Sequence, residues 1–281
     1  MIKEGTIIKN ISNLYTVISE NKEFDCKARG KFRNEKIIPL VGDHVLFDEE
    51  KLYLLEILKR NNELQRPSVA NVDIALIVTS LKEPDLSLHL LDKLISMIII
   101  NKVTPIICLT KEDLLSDEEK DNLKNLIRYY EKIGIKLFYN YEKDKLLEAL
   151  NNKIVVLAGQ TGAGKSSLLN RLDENLNLKT SPISKALGRG VHTTRHSELF
   201  KINNVWFLDT PGFSALDLNK YSEEEIRNSF LEFKDYSCLY RDCSHMATEG
   251  CEVIKALSNN EIMESRYNNY CSFIKEKKKG E

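Results

Sequence analysis

The sequence predicts a multidomain fold: a small β-barrel of the OB type, a central α/β domain and a mostly α-helical C-terminal part. Three observations predict this order. Short segments of alternating hydrophobicity, separated by turn residues, fill residues 1–65. Continuous apolar segments alternate with helical patterns over residues 66–214. Residues 215–281 contain cysteines and a histidine at the spacing of a metal site. We therefore expect three domains with these boundaries.

Composition limits the classes of protein to which this chain can belong. Its 281 residues suffice for two or three domains, and 42% of them are hydrophobic, which is enough for real cores. The net charge of −1 argues against a wholly basic nucleic-acid binder. No apolar run approaches the ~18 residues of a membrane span, and residues 1–5 start no signal-peptide core. We therefore expect a cytoplasmic protein without membrane contact, whose cysteines are thiols or metal ligands.

The first 65 residues predict five or six short strands. These strands are expected over residues 6–9, 14–19, 23–28, 36–40, 43–47 and 52–58. So many short strands in so few residues are typical of an OB barrel. Basic residues cluster here with two phenylalanines between them, at Phe24, Lys27, Arg29, Lys31, Phe32, Arg33 and Lys36. This cluster is either a nucleic-acid face or an edge strand protected by charge.

The central region alternates strands with helices, which predicts a parallel sheet. Strands are expected over residues 72–79, 104–109, 135–139, 154–158 and 205–208, and helices over residues 86–100, 144–150 and 166–172. A further helix is expected to begin at the capping box formed by Ser116 and Glu119 and to end at Gly134.

A phosphate-binding loop occupies residues 159–166, which fit the pattern G-x-x-x-x-G-K-[ST] between a strand and a helix. Backbone N–H groups in such a loop, and the start of the following helix, bind phosphates. Lys165 would reach the β- and γ-phosphates and act in catalysis, and Ser166 would bind Mg²⁺. The predicted nucleotide-binding residues here are Gly159, Gln160, Thr161, Gly162, Ala163, Gly164, Lys165, Ser166 and Ser167. The alternative, a chance Gly-rich turn, does not explain the flanking strand and helix.

A base-reading element precedes this loop in the chain. Thr110-Lys111-Glu-Asp113 is close to N-K-x-D, in which the acid accepts from the N1–H and amine of guanine. Lys111 would lie along the base, and the position after a buried strand is where such sheets bind ligands. The alternative is that Thr110 or Asp113 only caps the next helix. No second candidate follows Ser166, so the sequence predicts a circularly permuted P-loop GTPase domain.

The phosphate half continues with a switch loop and a second metal-binding motif. A Gly-rich stretch leads to His192-Thr193-Thr194, where a threonine would bind Mg²⁺ beside a γ-phosphate. Asp209-Thr-Pro-Gly212 fits D-x-x-G, in which Asp209 holds the Mg²⁺ shell and Gly212 senses the γ-phosphate. Phe213 follows, where Ras-type GTPases place a water-orienting glutamine, so intrinsic hydrolysis is expected to be slow. His192 is the candidate catalytic base, or else simply an exposed loop residue.

The C-terminal part contains a predicted metal site. Cys238, Cys243, His245 and Cys251 have the spacing C-x4-C-x-H-x5-C, which suits one structural, tetrahedral Zn²⁺. Scattered core cysteines are the alternative, and Cys26, Cys108 and Cys271 are predicted core thiols. Helices are expected from the capping box of Ser222 and Glu225 to about residue 235, and over residues 260–275.

Taken together, these motifs resemble the RsgA family, also called YjeQ or EngC, of circularly permuted GTPases. The resemblance covers the OB-like start, T-K-E-D before G-Q-T-G-A-G-K-S, the H-T-T switch, D-T-P-G-F and the Cys₃His spacing. It implies GTP hydrolysis to GDP stimulated by the 30S ribosomal subunit in late subunit assembly, with the barrel and zinc domain binding 16S rRNA. It also implies that His192 acts in catalysis and that Thr194 binds Mg²⁺, and we expect a monomer.

Three positions depart from the family pattern. Thr110 replaces the commoner Asn, Arg195 replaces the third threonine of the usual H-T-T-T, and no guanine-contacting Ser is evident at Asn140 and Tyr141. Two alternative functions are a P-loop ATPase or small-molecule kinase with an RNA-binding OB domain, and an RNA-binding protein whose nucleotide site is only structural. Asp113 argues against the first, and the intact Lys165 and Asp209 argue against the second.

Overall fold

A five-stranded closed barrel forms the N-terminal part of the computed structural model, confirming the predicted OB-like start. The structure describes residues 1–34, 37–65, 67–176, 198–209, 213, 217–246 and 249–280. The barrel strands are β1 (Ile2–Ile11), β2 (Leu14–Ser19), β3 (Lys22–Ala28), β4 (His44–Asp48) and β5 (Tyr53–Ile57), and helix α1 (Gly30–Asn34) follows β3. They close in the order β1-β2-β3-β5-β4, and only the β3–β5 pair is parallel. Alternating side chains fill the interior, where Val17, Val45, Phe47 and Leu54 are fully buried.

The strand predicted over residues 36–40 was wrong for residues 37–40, which form no strand. Here the chain leaves α1 and turns, because the Ile37 amide donates to the Phe32 carbonyl and the Leu40 amide donates to the Asp43 carboxylate. Pro39 lies between them and has no amide to give to a ladder. Ile37 and Ile38 are exposed, so their hydrophobicity did not report a buried strand.

An ion pair fixes the turn before β4 to the segment that follows β5. Asp43 is fully buried, and Arg60 donates to both of its oxygens, at 2.7 Å from Nε and 2.8 Å from Nη2. A hairpin of β6 (Glu63–Gln65) and β7 (Ser68–Ala70), which the sequence did not predict, lies beside this pair. A Cβ on Gly42 would lie 2.0 Å from the Ala70 carbonyl oxygen, so only glycine allows this approach.

The central domain is built on the predicted parallel sheet. Its strands are β8 (Ile74–Ser80), β9 (Thr104–Thr110), β10 (Lys136–Tyr139), β11 (Ile154–Ala158), β12 (Leu199–Ile202) and β13 (Val205–Leu208). Its helices are α2 (Leu88–Ile100), α3 (Asp117–Lys132), α4 (Lys143–Leu150) and α5 (Lys165–Leu172). The strand order is β10-β9-β8-β11-β13-β12, and the pairs are parallel except for the edge strand β12 against β13. The sequence did not predict β12, a short strand paired on one side only.

The caps of α3 agree with the sequence. Ser116 accepts from the Glu119 amide while Glu119 accepts from the Ser116 amide, so the predicted capping box is confirmed. Gly134 follows the helix with a φ of 87°, a conformation that glycine adopts without strain.

The C-terminal part is helical but is divided differently from the prediction. It contains α6 (Glu223–Asn228), a 3₁₀ turn (Leu231–Asp235), α7 (Glu252–Ser258) and α8 (Glu264–Gly280). The capping box of Ser222 and Glu225 is present, but the helix ends at Asn228 rather than near residue 235. The chain bends there and brings Glu232 into the core. None of the helices in the described ranges is long and apolar enough to cross a bilayer.

A buried charged network connects this part to the central domain. Arg266 on α8 is fully buried and donates to both carboxylate oxygens of Glu232, at 2.8 and 2.9 Å. It also donates to Asp92 on α2 at 2.7 Å, and Asp92 accepts from the Tyr130 hydroxyl and the Asn269 amide as well. Each buried charge therefore has partners, which burial of an ionised group requires.

Replacing Arg266 with Met is expected to destabilise the protein by about 3–5 kcal/mol, since Asp92 and Glu232 would stay buried without their cation. Urea unfolding followed by circular dichroism measures the change. Lys124→Met is the matched control, because Lys124 pairs with Asp121 at the surface and should matter by less than about 0.5 kcal/mol. Equal stability of the two variants would contradict a structural role for the network.

Candidate functional site

The phosphate-binding loop lies between β11 and α5, at the carboxyl end of the sheet, as predicted. Gly159 has a φ of 118°, and a Cβ there would lie 2.1 Å from the Val78 carbonyl oxygen on β8. Gly164 has a φ of 92° and forms the N-cap of α5. These glycines let the loop curl so that backbone N–H groups and the helix N-terminus face one concave space.

Lys165 curls back over this loop. Its ammonium donates to the Gly159 and Gln160 carbonyls, both at 2.7 Å. Burial lowers the pKa of Lys165, since the charged form loses solvation. An anion bound in the loop would restore a favourable field for this charge, so the position suits a phosphate-contacting lysine.

The predicted base-reading segment is attached directly to the predicted phosphate-binding loop. Thr110, at the end of β9, is buried, and its hydroxyl donates to the Ala163 carbonyl at 2.8 Å. Lys111 follows in a left-handed conformation, and its ammonium donates to the Glu83 carbonyl. Asp113 is exposed in a 3₁₀ turn, Glu112–Leu114. The two halves of a nucleotide site therefore meet, although the base-reading half comes first in the chain.

Asp209 lies at the end of β13, the strand next to β11. Its side chain is 5% exposed, and the Glu198 amide donates to its Oδ1 at 3.1 Å. The Asp209 amide donates in return to the Glu198 carbonyl at 3.0 Å. A carboxylate fixed at the end of the strand next to β11 is the kind of ligand that Mg²⁺ uses in phosphate sites.

Several predicted site residues lie outside the described part of the chain: His192, Thr193, Thr194, Arg195 and Gly212. Their roles stay predictions. Phe213 is described, with a φ of 55° and a side chain only 7% exposed. It packs in the hydrophobic core, so this residue does not orient a water molecule.

The sequence missed several residues beside the predicted base site. Tyr139 and Tyr141 stack with ring centroids 5.1 Å apart, and the Tyr141 hydroxyl donates to Glu112 at 2.9 Å. Burial, with the Glu112 charge, raises the pKa of Tyr141 to about 12. Glu83, whose carbonyl accepts from Lys111, lies in the loop after β8. In the same loop, the Asp85 carbonyl accepts from the Gln160 side chain at 3.4 Å. The one indication in the sequence was the absence of the usual guanine-contacting Ser at Asn140 and Tyr141.

The four predicted zinc ligands come together. Sγ of Cys238 lies 3.8 Å from Sγ of Cys251, and Nδ1 of His245 lies 3.5 and 3.4 Å from these two sulfurs. Tetrahedral zinc, with Zn–S near 2.3 Å and Zn–N near 2.0 Å, places S···S about 3.8 Å and S···N about 3.5 Å apart. With Cys243 included, all four ligand atoms lie within 4.8 Å of one another. The cluster could therefore hold one zinc ion.

Residues outside the cluster fix its backbone. On α8, the Tyr267 hydroxyl donates to the His245 carbonyl at 2.8 Å, and the Tyr270 hydroxyl donates to the Ser244 carbonyl at 2.5 Å. Arg227 on α6 donates to the Cys243 carbonyl at 3.0 Å. Burial lowers the pKa of His245, which favours the neutral imidazole that a metal needs.

The predicted nucleic-acid face on the barrel is only partly supported. Phe32 is buried, and the half-buried ring of Phe24 packs on Phe47 at 5.0 Å, so stacking of bases on these rings was wrong. Both rings are needed for the barrel core. Lys27, Arg29 and Lys31 are exposed, so they lie where phosphates could reach them. Lys27 pairs with neighbours on both sides, so the alternative of an edge strand was also wrong. Arg33 and Lys36 have side chains outside the described part.

Comparison with known proteins identifies the family. The model of the RsgA GTPase family matches residues 57–219, and that of the RsgA N-terminal domain matches residues 4–52. The chain belongs to the RsgA family. A relative from Oceanobacillus iheyensis, small ribosomal subunit biogenesis GTPase RsgA 2, is 47% identical over 97% of each chain. RsgA of Geobacillus kaustophilus is 44% identical over 98% of this chain and 97% of its own.

Solved structures show the same fold in other RsgA-like proteins. YjeQ from Thermotoga maritima superposes with a TM-score of 0.86 at 32% identity, over 99% of each chain. YloQ, a circularly permuted GTPase, also gives a TM-score of 0.86, at 34% identity over 100% of this chain and 96% of its own. The predicted resemblance and the permuted order are thereby confirmed, and the alternative of an ATPase or small-molecule kinase is not supported.

Replacing Cys251 with Ser is expected to remove the bound metal, because three remaining ligands leave a tetrahedral structural site open. Elemental analysis of the purified full-length protein measures zinc per chain, and we expect a fall from about one ion to well below half. Cys271→Ser is the matched control, since Cys271 lies on α8 outside the cluster. Retention of a full equivalent of zinc by Cys251→Ser would overturn the ligand assignment.

Proposed function

We propose that this RsgA-family protein hydrolyses GTP to GDP and phosphate in late assembly of the small ribosomal subunit, stimulated by the 30S subunit. The observation that carries the proposal is the hydrogen bond of Thr110 to Ala163, which ties a guanine-reading segment to a phosphate-binding loop. The names of the full-length relatives supply the ribosomal part. We also propose that the protein is a cytoplasmic monomer and that its three domains span residues 1–65, 66–214 and 215–281.

In the proposed site, each residue has one task. Lys165 neutralises the β- and γ-phosphates, and the loop amides of residues 159–164 bind their oxygens. Ser166, Asp209 and Thr194 would hold Mg²⁺, which supplies charge neutralisation at the phosphates when bound. Asp113 would accept hydrogen bonds from guanine, and its exposure beside the loop supports that role.

Slow intrinsic hydrolysis is part of the proposal. The buried Phe213 leaves the usual water-orienting position without a polar group. His192 is the proposed base that accepts a proton from the attacking water, and its arrangement would depend on the ribosomal partner. The barrel, through Lys27, Arg29 and Lys31, and the zinc-bound C-terminal part would contact 16S rRNA.

Replacing Asp113 with Asn is expected to weaken GTP binding by about 10- to 100-fold, the effect of losing a charge-assisted hydrogen-bond pair, and to favour xanthosine nucleotides. An amide cannot accept from both guanine donors, whereas it can donate to the oxygen of xanthine. Binding of fluorescent GDP and XDP analogues measures the change. Asp117→Asn, four residues further on at the start of α3, is the matched control. Unchanged preference for GDP in Asp113→Asn would contradict guanine reading by this residue.

Stimulation by the ribosomal subunit is the decisive test of the proposed function. Turnover of GTP by the full chain should rise at least about tenfold when purified 30S subunits are added, a change of about 1.4 kcal/mol in the barrier. His192→Ala should lower the stimulated rate while the affinity for GTP stays the same. His89→Ala is the control, because His89 is exposed on α2 and pairs with Glu276. Absence of stimulation in the unaltered chain would refute the ribosomal role.

A further inference from the structure

The barrel contacts the edge of the GTPase sheet close to Asp209, a predicted Mg²⁺ ligand. Lys9 on β1 pairs with Glu198 in an isolated antiparallel bridge, just before β12 begins. The Lys9 ammonium also lies 3.4 Å from Oε1 of Glu198, and the two side chains are 36% and 20% exposed. Backbone pairing and charge therefore act at the same point of contact between the two domains.

Glu198 is at the same time a partner of Asp209. Its amide donates to the Asp209 carboxylate, and its carbonyl accepts from the Asp209 amide. The backbone of Glu198 thus orients the carboxylate that would bind Mg²⁺. Glu198 therefore contacts both Lys9 of the barrel and Asp209, the predicted Mg²⁺ ligand. A movement of β1 would be transmitted to Asp209 through Glu198.

Among the described residues, part of the boundary between these domains is open. A cleft of about 680 Å³ separates the barrel from β12 and β13, and its walls include Ile8, Thr16, Phe200 and Trp206. The barrel is also attached at a second place, where the Ala70 amide donates to the Val41 carbonyl and the Asn71 side chain donates to the Gly42 carbonyl, both at 2.9 Å. Any rotation of the barrel about that attachment would change the width of the cleft and the distance between Lys9 and Glu198.

We propose that Lys9 is a positioning residue for Asp209, and that through Glu198 it couples RNA contact at the barrel to the nucleotide site. The inference rests on the proposed GTPase function and adds the path by which the partner acts. With the pair intact, the Glu198 amide stays on the Asp209 carboxylate and the Mg²⁺ site keeps its geometry. When like charges face each other at these two positions, the bridge weakens and the contact between Glu198 and the Asp209 carboxylate shifts with it.

A charge-swap cycle tests the coupling in the full-length protein. The variants are Lys9→Glu, Glu198→Lys, the double swap and the conservative Lys9→Arg. The first measurement, made without ribosomes, is the Mg²⁺ concentration that half-saturates binding of a fluorescent GTP analogue. The second is the ratio of 30S-stimulated to intrinsic turnover. Lys3→Glu is the matched control, because Lys3 pairs with Glu20 and Glu49 within the barrel.

We expect each single reversal to raise the half-saturating Mg²⁺ concentration roughly two- to fivefold, the size of a partly exposed ion pair, and to lower the stimulation ratio. The double swap and Lys9→Arg should restore both values, and Lys3→Glu should change neither. An unchanged Mg²⁺ requirement in Lys9→Glu and Glu198→Lys, or a double swap that restores nothing, would overturn the coupling. Lack of 30S stimulation in the unaltered chain would instead refute the proposed function, while the Mg²⁺ titration would still decide this inference.

Discussion

The close pairing of β8 with β11 is the contact on which the nucleotide site depends. These strands run parallel in register, from Ile74 opposite Val155 to Ile77 opposite Ala158. At their ends Gly159 lies so close to the Val78 carbonyl that no side chain would fit between them. Because β8 also pairs with β9, the predicted base-reading segment that follows β9 lies beside the predicted phosphate-binding loop. The carboxyl ends of parallel strands meet at one edge of the sheet, whatever the order of the strands along the chain. The permuted order of motifs therefore still brings the predicted site residues to one edge.

The C-terminal part is held by buried polar contacts as well as by an aromatic core that includes Phe230, Phe233 and Phe273. Arg266 binds carboxylates from α2 and from the 3₁₀ turn, and Tyr267 and Tyr270 on the same helix bind the backbone of the metal-binding loop. One helix, α8, therefore connects the central domain to the cysteine and histidine cluster. Such contacts are directional, because hydrogen bonds and ion pairs fail when the partners shift. A metal bound in the cluster would therefore sit at a defined place relative to the GTPase sheet.

The barrel is attached to the GTPase domain in two different ways. One side is fixed by hydrogen bonds from Ala70 and Asn71 to the backbone just before β4. The other side meets the sheet at the partly exposed pair of Lys9 and Glu198, across an open cleft. Exposed ion pairs contribute little to stability, so the contact between Lys9 and Glu198 can break at a small cost in free energy. The buried Phe213 supplies no polar group for water at its position, which agrees with the proposed need for an external partner.

Periodicity and capping residues by themselves determined most of the central domain, since β11 and β13 begin and end where their apolar runs do. Motif spacing likewise determined the loop at 159–166 and the four residues of the metal cluster, because ligands of a local site must lie near each other in the chain. Only the tertiary structure decided what short or exposed segments do. Ile37 and Ile38 resemble a strand but lie in a turn, β12 forms because β13 offers it an edge, and Phe32 is used by the barrel core. The contacts of Arg266 and Lys9 span most of the chain length, and no local pattern of residues encodes such a pairing.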